Sequence, residues 1–216
     1  MTRWVLAALM LVGVASTEAA EPFAIGQLHY DGGGDWYSSA TSIRNWLGEL
    51  QRRVGLTTVR DAQVVRPVDT ELASTPFLYA NGHGNMRLAD AEAASLRRYL
   101  MGGGFLFVND DYGLDDSFRR EMEKVLPGRP LEPIPASHFI YHCFYDLAGL
   151  PKIHEHDGEP AQGYGIFLNG RLAVFYAYSS DIGDGLEDGD VHGDPAESRE
   201  QAARMATNIV VYALTH

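Results

Sequence analysis

Short apolar runs that alternate with amphipathic segments constrain the fold of this chain most. Residues 75–80 and 105–108 are continuous apolar runs, and each is followed by a polar cluster. The segment between them, 89–101, has acids at its start, arginines near its end and three glycines after it, which suits a helix and its dipole. Strand, helix and strand joined by tight loops are typical of a parallel sheet covered by helices on both faces.

The rest of the chain continues this pattern. Apolar residues spaced three and four apart predict further helices over residues 42–53, 116–126 and 198–214, and short apolar or β-branched runs predict strands over 23–30 and 57–65. Residues 165–168 and 171–178 flank an Asn-Gly pair, which favours a β-hairpin. We therefore predict an α/β fold: a mostly parallel sheet with helices on both faces, plus an antiparallel hairpin.

The first residues are typical of a secretory signal peptide. Arg3 precedes eleven apolar residues, 4–14, and small residues follow at Thr17 and Ala19. Eleven residues are too few to cross a bilayer, which needs about 20. We predict a signal peptide over 1–19, with cleavage after Ala20 as a close alternative, and a single α/β domain over 20–216. The mature protein would be periplasmic or extracellular, without stable membrane insertion. An uncleaved anchor or a buried N-terminal helix is the alternative.

Charge and motifs exclude several classes of function. The chain has 29 acidic and 17 basic residues, a net charge of −12, which repels nucleic acid. One cysteine, Cys143, is too few for an internal disulfide or a thiolate zinc site, and a buried thiol is its default interpretation. The chain contains no Gly-x-Ser-x-Gly or Gly-x-Cys-x-Gly nucleophile elbow. The glycines at 32–34 are not followed by the Gly-Lys-Ser/Thr of a phosphate loop.

Polar clusters follow four of the predicted strands, and they make up the candidate site. Ligands of open parallel sheets bind beyond the carboxyl ends of the strands, so these clusters should meet at one edge. We predict a pocket there for a small polar molecule, with Tyr37 as an additional stacking face. The alternative is that these aspartates and glycines only form loops and helix caps. The predicted ligand-binding residues are Asp31, Asp35, Trp36, Asn81, Tyr112 and Asp181.

Acids gathered at one edge repel one another unless a cation or protonation relieves them. A divalent cation is therefore the expected cofactor, with Asp110, Asp111 and Asp184 as its predicted ligands. Asp110 could instead cap the helix that follows it.

Three residues are candidate catalytic groups. His83 lies between two glycines, which leaves its imidazole free to act as a base, and Asp110 could be its partner. His138 lies in an aromatic-rich stretch and shares a face with Ile140; a hydrogen-bonded core histidine is the alternative.

Two further motifs are weaker. Residues 188–193 imitate the start of a calcium-binding loop, but its twelfth position is Arg199 instead of glutamate. His154 and His156 could present two imidazoles on one strand face, although their composition favours a polar surface loop.

Five segments together resemble a known bacterial family. The segments 77–84, 96–106 with Asp110 and Asp111, and 208–214, together with 33–37 and 152–158, resemble the domain of unknown function 4159 family across essentially the whole mature chain. The resemblance implies a flavodoxin-like layout of the class I glutamine amidotransferase type, more distantly related to trehalose-utilisation proteins. It implies little about activity. The amidotransferase pattern needs a cysteine where this chain has residues 109–111, so glutamine hydrolysis is not expected.

These observations lead to three hypotheses. The first is an exported domain that binds a small polar ligand, such as a carbohydrate or cell-wall fragment, through a divalent cation. The second is a hydrolase that uses His83 with a carboxylate or metal. The third is a non-catalytic envelope interaction module, whose protein partner the sequence does not identify.

Overall fold

The computed structural model describes residues 21–156 and 158–216. The predicted signal peptide, 1–19, lies outside these residues. The strands are β1 (Gly26–Leu28), β2 (Gln63–Val65), β3 (Phe77–Ala80), β4 (Phe105–Asn109), β5 (Glu132–Pro133), β6 (Gln162–Leu168) and β7 (Arg171–Tyr178). The helices are α1 (Ser42–Val54), α2 (Asp90–Met101), α3 (Asp115–Val125), α4 (Ile182–Leu186) and α5 (Ala196–Thr215).

The seven strands form one sheet in the order β2-β1-β3-β4-β7-β6-β5. The pairs β1–β2, β1–β3, β3–β4 and β4–β7 are parallel, while β6 pairs antiparallel with β7 and β5. This confirms the predicted α/β fold and its hairpin. The chain moves from β1 to β2 on one side and then to β3 on the other, so the strand order reverses between β1 and β3. Ligands of open α/β sheets bind at such a reversal.

Side chains alternate between the two faces of the sheet. Phe77, Phe105 and Phe107 belong to one core, together with residues of α1, α4 and α5, whereas Leu78 and Leu106 belong to the other, with residues of α2 and α3. On the first face the aromatic rings of neighbouring strands stack, with centroids 5.6 Å apart for Phe77 and Phe105 and 5.9 Å for Phe107 and Phe175. Alternation at a period of two thus buries both faces of the sheet.

The structure differs from the sequence-based expectation at the edges of the sheet. β1 and β2 have three residues each, shorter than the predicted 23–30 and 57–65, because the ladder between them continues only as an isolated bridge between Phe23 and Thr58. β6 begins at Gln162, three residues earlier than predicted. The additional elements are β5, α4 and 3-10 turns at Thr70–Ser74 and Phe139–Tyr141.

Within the two described segments, no helix combines the length and the apolar character that a membrane span requires.

Trp46 is the main contact between α1 and the sheet. It is 1% exposed, its ring meets Phe77, Tyr79 and Phe107 edge-on, and its Nε1 donates to the carbonyl of Ala206 at 3.1 Å. We expect Trp46→Phe to lower the free energy of unfolding by about 2–3 kcal/mol, through lost volume and the loss of the indole hydrogen bond. Urea unfolding measures this. Val68→Ala, at a 55% exposed position, is the control and should cost less than about 0.5 kcal/mol.

Candidate functional site

The candidate site is the carboxyl edge of the parallel strands, which we call the rim: the loops that follow β1, β3, β4 and β7, at 29–41, 81–89, 110–114 and 179–181. Five described non-glycine residues have positive φ, and four of them lie at the rim: Ser39, Tyr112, Ser179 and Asp181. Such conformations cost on the order of 1–3 kcal/mol each and persist where surrounding contacts hold them, often at functional sites.

A buried network centred on Asp111 joins three of the rim loops. Ser38 Oγ donates to Asp111 Oδ2 at 2.6 Å, Asn81 Nδ2 donates to the same oxygen at 3.2 Å, and Asn109 Nδ2 donates to Oδ1. Asp111 is fully buried, so these neutral donors replace the water that its carboxylate would otherwise hold. The network therefore fixes the loops after β1, β3 and β4 to one another.

The loop after β7 joins the same network. Asn109 Nδ2 lies 3.3 Å from Asp181 Oδ1, and the backbone N–H of Asp184 donates to that oxygen at 3.4 Å. Asp181 has φ 61° and caps α4. The side chains of Asp111, Asp181 and Asp184 thus lie close enough to influence one another's ionisation.

These three carboxyl groups have raised pKa values. Burial raises the pKa of Asp111 to about 6. Burial, together with the negative charge of Asp181, raises the pKa of Asp184 to about 7. Burial raises the pKa of Asp181, and the negative charge of Asp111 raises it further. At neutral pH the site holds negative charge that burial disfavours, and a bound cation would relieve it.

Three histidines lie against these acids; the sequence indicated two of them, His154 and His156, only as a weak motif. His156 Nε2 is 2.8 Å from Asp181 Oδ2, and His192 Nε2 is 2.7 Å from Glu187 Oε2 and 3.2 Å from Asp184 Oδ1. The ring centroids of His154 and His156 are 4.9 Å apart, and those of His154 and His192 are 5.9 Å apart. The two-residue spacing of His154 and His156 was the available sequence signal.

A separate histidine–carboxylate pair lies where the strand order reverses. His83 Nδ1 is 3.1 Å from Asp35 Oδ2, and the backbone N–H of His83 also donates to Asp35. The imidazole is about half exposed. Asp35 therefore orients the ring through Nδ1 and leaves Nε2 without a hydrogen bond among the described residues, as a general base requires.

Asp110 holds the loop between β4 and α3. Its Oδ1 accepts from the backbone N–H groups of Tyr112 and Leu114, and its Oδ2 accepts from Tyr176 Oη at 3.0 Å. Burial raises its pKa. Both oxygens are occupied, which argues against a role as the base or the metal ligand. The predicted helix cap is not formed either, because α3 begins at Asp115 and has no side-chain cap.

The predicted metal set is not brought together. Among the described residues, the groups with ligand atoms close enough for one ion are His154, His156 and Asp184, and Asp184, Glu187 and His192. Of the predicted ligands Asp110, Asp111 and Asp184, only Asp184 belongs to such a group.

Three other predicted residues lie away from the buried network. Asp31 is exposed, with Oδ1 3.8 Å from Arg66 near the β2 edge, and Trp36 stacks on His29 with ring centroids 4.2 Å apart. Tyr37 is 64% exposed beside Trp36.

His138 lies at the opposite end of the sheet from the rim. Its ring contacts Phe167, near the end of β6, and Tyr212 in α5, and its Nδ1 accepts from the backbone N–H of Ile140. The structure therefore separates His138 from His83 and supports its alternative interpretation as a hydrogen-bonded structural histidine.

A cavity of about 340 Å³ opens at the rim. Tyr112 is 51% exposed, and its ring stacks on His156 with centroids 5.2 Å apart. A larger cavity, about 870 Å³, lies at the other end of the sheet around Thr75 and Gly103, away from the clustered acids and histidines. The rim cavity is lined by Asp110, Tyr112, Gly113, Asp115, Asp116, His156, Tyr178 and Ser179.

Comparison with known families gives one match. Residues 24–214 match the family described as Domain of unknown function (DUF4159). The chain belongs to this family. No curated protein matches the sequence. Membership in the DUF4159 family confirms the resemblance, whereas the implied glutamine amidotransferase layout stays a prediction.

The cysteine of this DUF4159 protein, Cys143, lacks the surroundings that activate a thiol nucleophile. Cys143 Sγ contacts the backbone carbonyl of Asn208 at 3.2 Å, and burial raises the pKa of its thiol to about 11. Activated cysteine nucleophiles have lowered pKa values, so this thiol is consistent with a structural role.

The pKa of Asp111 predicts a pH dependence of stability. Because the pKa of Asp111 in the folded state, about 6, exceeds the ordinary value of 3.8, the folded state binds more protons between these two pH values, and stability falls as pH rises through them. With chelator present, we expect the carboxyl to cost on the order of 3 kcal/mol above pH 6 relative to its protonated form. Urea unfolding at pH 4.5 and 6.5 measures this loss, which should shrink in Asp111→Asn.

Glu200 provides a contrasting control. The hydrogen bond from Arg53 lowers the pKa of Glu200 to about 2, so its contribution is present above the unfolded value and is lost as pH falls toward 2. Glu200→Gln should therefore leave the change between pH 4.5 and 6.5 nearly intact. An identical pH dependence of stability in wild type and Asp111→Asn would contradict the attribution of this loss to the carboxyl group of Asp111.

Proposed function

We propose that this protein is an exported domain whose rim binds a small polar ligand, of the carbohydrate or cell-wall-fragment class, with a divalent cation in the site. The observation that supports this most directly is the cavity at the carboxyl edge of the sheet, where an exposed aromatic ring adjoins carboxylates. Pockets that combine an apolar face with a few polar groups are typical of small-molecule sites.

The chemistry of the cavity favours a neutral or cationic polyol. Tyr112 offers an aromatic surface, and its unusual φ of 105° shows that the surrounding loop holds it in place. Asp116 and the buried acids nearby can accept hydrogen bonds from hydroxyl groups. The net charge of −12 opposes anionic ligands. A volume of about 340 Å³ is near the lower limit for ligand pockets, which suits one or two sugar rings.

An NMR titration tests this proposal. On addition of the N-acetylglucosamine disaccharide, we expect the backbone amides of residues 110–113 and 179–181 to shift. Tyr112→Ala should weaken binding roughly tenfold, because aromatic contacts contribute about 0.5–1.5 kcal/mol beyond the area they bury. Phe139→Ala is the matched control: it is 49% exposed and lies far from the rim, so binding should be unchanged.

The proposal fails if neither this disaccharide nor maltose or a muropeptide shifts the rim amides at millimolar concentration. It also fails if Tyr112→Ala binds as wild type does. If none of these ligands shifts the rim amides, the non-catalytic envelope interaction module becomes the better hypothesis.

A second candidate, a hydrolase, is favoured by the His83–Asp35 pair. Among the described residues Nε2 of His83 makes no hydrogen bond, while Nδ1 is held by Asp35, which is the arrangement of a general base. The pair lies near the buried acids, because His83 lies two residues after Asn81, whose Nδ2 donates to Asp111 Oδ2.

A panel of p-nitrophenyl esters, phosphates and glycosides tests the hydrolase. If one is turned over, we expect His83→Gln to lower the rate by about 100-fold, since general base catalysis contributes 10²–10⁴. His142→Gln removes a similar surface pair, His142 with Asp146, and should have no effect. Equal activity in His83→Gln and wild type would exclude His83 as the base.

A further inference from the structure

We propose that His154, His156, His192 and Asp184 form a binding site for a first-row transition-metal ion of the zinc type. The family description assigns no such site, and the sequence indicated only the pair His154 and His156. It deepens the proposed function, because it names the cation and its ligands, but metal binding can be measured without any organic ligand.

The positions of the ligand atoms are the first argument. One ligand atom each from His154, His156 and Asp184 lies within 4.8 Å of the others, and the same holds for Asp184, Glu187 and His192. Asp184 is common to both groups. Zinc bonds of about 2.0–2.1 Å place tetrahedral ligands about 3.3 Å apart, so binding requires side-chain movements on the order of 1 Å.

The remaining hydrogen bonds of the imidazoles are the second argument. His156 Nε2 is held by Asp181 at 2.8 Å, and His154 Nδ1 is 3.3 Å from Asp194 Oδ1. Each ring therefore keeps its other nitrogen for a metal ion. Metal-binding histidines commonly donate their second N–H to a carboxylate, which orients the ring and makes the ligand more basic.

Burial and charge are the third argument. The side chains of Asp181 and Asp184 are 1% and 10% exposed, and Glu187 is 7% exposed, so several carboxylates share a largely dry volume. Tyr79 is 1% exposed, and its hydroxyl has no hydrogen-bond partner among the described residues. This hydroxyl lies against Gly183, which is between Asp181 and Asp184 in the sequence. A divalent cation would offset the negative charge that this arrangement concentrates.

The ligand types select the class of metal. Imidazole nitrogen favours zinc, copper, iron and nickel, whereas magnesium and calcium prefer sites made entirely of oxygen. The site combines three histidines with carboxylates and includes no thiolate. Its position beside Tyr112, whose ring stacks on His156, places the metal next to the rim cavity.

Cobalt and zinc binding to the chelator-treated, full-length mature protein tests the inference. We expect one Co²⁺ per chain, with visible absorption displaced by one equivalent of Zn²⁺ and not by millimolar Mg²⁺. Saturating Zn²⁺ should raise the Tm by roughly 5 °C. His154→Gln and His192→Gln should each weaken Zn²⁺ binding at least tenfold, and the Tm shift should shrink accordingly.

His142→Gln is the matched control, because His142 also pairs with a carboxylate, Asp146, at the surface. It should bind Zn²⁺ as wild type does. X-ray absorption of the wild-type zinc complex gives a readout that needs no variant: imidazole scattering from two or three histidines is expected.

The inference is overturned if wild type binds less than one equivalent of Zn²⁺, if the absorption spectrum lacks imidazole scattering, or if His192→Gln and His142→Gln bind equally. Failure of the disaccharide to bind a zinc-loaded protein would overturn only the proposed ligand. The two failures are therefore distinguishable.

Discussion

The buried carboxylate of Asp111 organises the functional end of this molecule. Ser38 and Asn81 come from two different loops and Asn109 from the end of β4, and all three donate to the same carboxyl group. A fully buried carboxylate without such donors would cost several kcal/mol. The loops are thus held together by the need to satisfy one charge, and the positions of the neighbouring side chains depend on it.

Asn109 carries this organisation to the loop after β7. Its amide lies between Asp111 and Asp181, and its Oδ1 accepts from the backbone N–H of Gly183 at 3.3 Å. Gly183 is required there, since a Cβ would lie 2.8 Å from Tyr79 Oη. The result is a dense group of acids that burial makes unfavourable and that histidines from two other loop segments surround. Protonation and cation binding are the two physical means of relieving it, and they compete.

Much of the fold follows from the sequence because it depends on local periodicity. Continuous apolar runs predicted the central strands, apolar residues spaced three and four apart predicted most helices, and the Asn-Gly pair predicted the hairpin. The short edge strands were less predictable, because their length depends on pairing: the β1–β2 ladder has three paired positions and continues only as an isolated bridge between Phe23 and Thr58. The prediction that polar strand ends meet at one edge follows from parallel topology alone. In the structure Asn81 and Asp111 are in contact, Asn109 links Asp111 to Asp181, and His83 lies in the same loop as Asn81.

The sequence by itself determined that acids, a histidine and aromatic residues would lie at the carboxyl edge, because strand direction alone decides that. Only the tertiary structure decided which of them touch. Asp110 and Asp111 are adjacent in sequence, yet Asp110 holds the loop before α3 and contacts Tyr176, while Asp111 joins the buried network. His156 and His192 are far apart along the chain, yet both meet the acids of the β7 loop. Contacts of this kind depend on how the loops lie against one another across the edge of the sheet. Local sequence patterns do not predict them, because they join residues that are far apart along the chain.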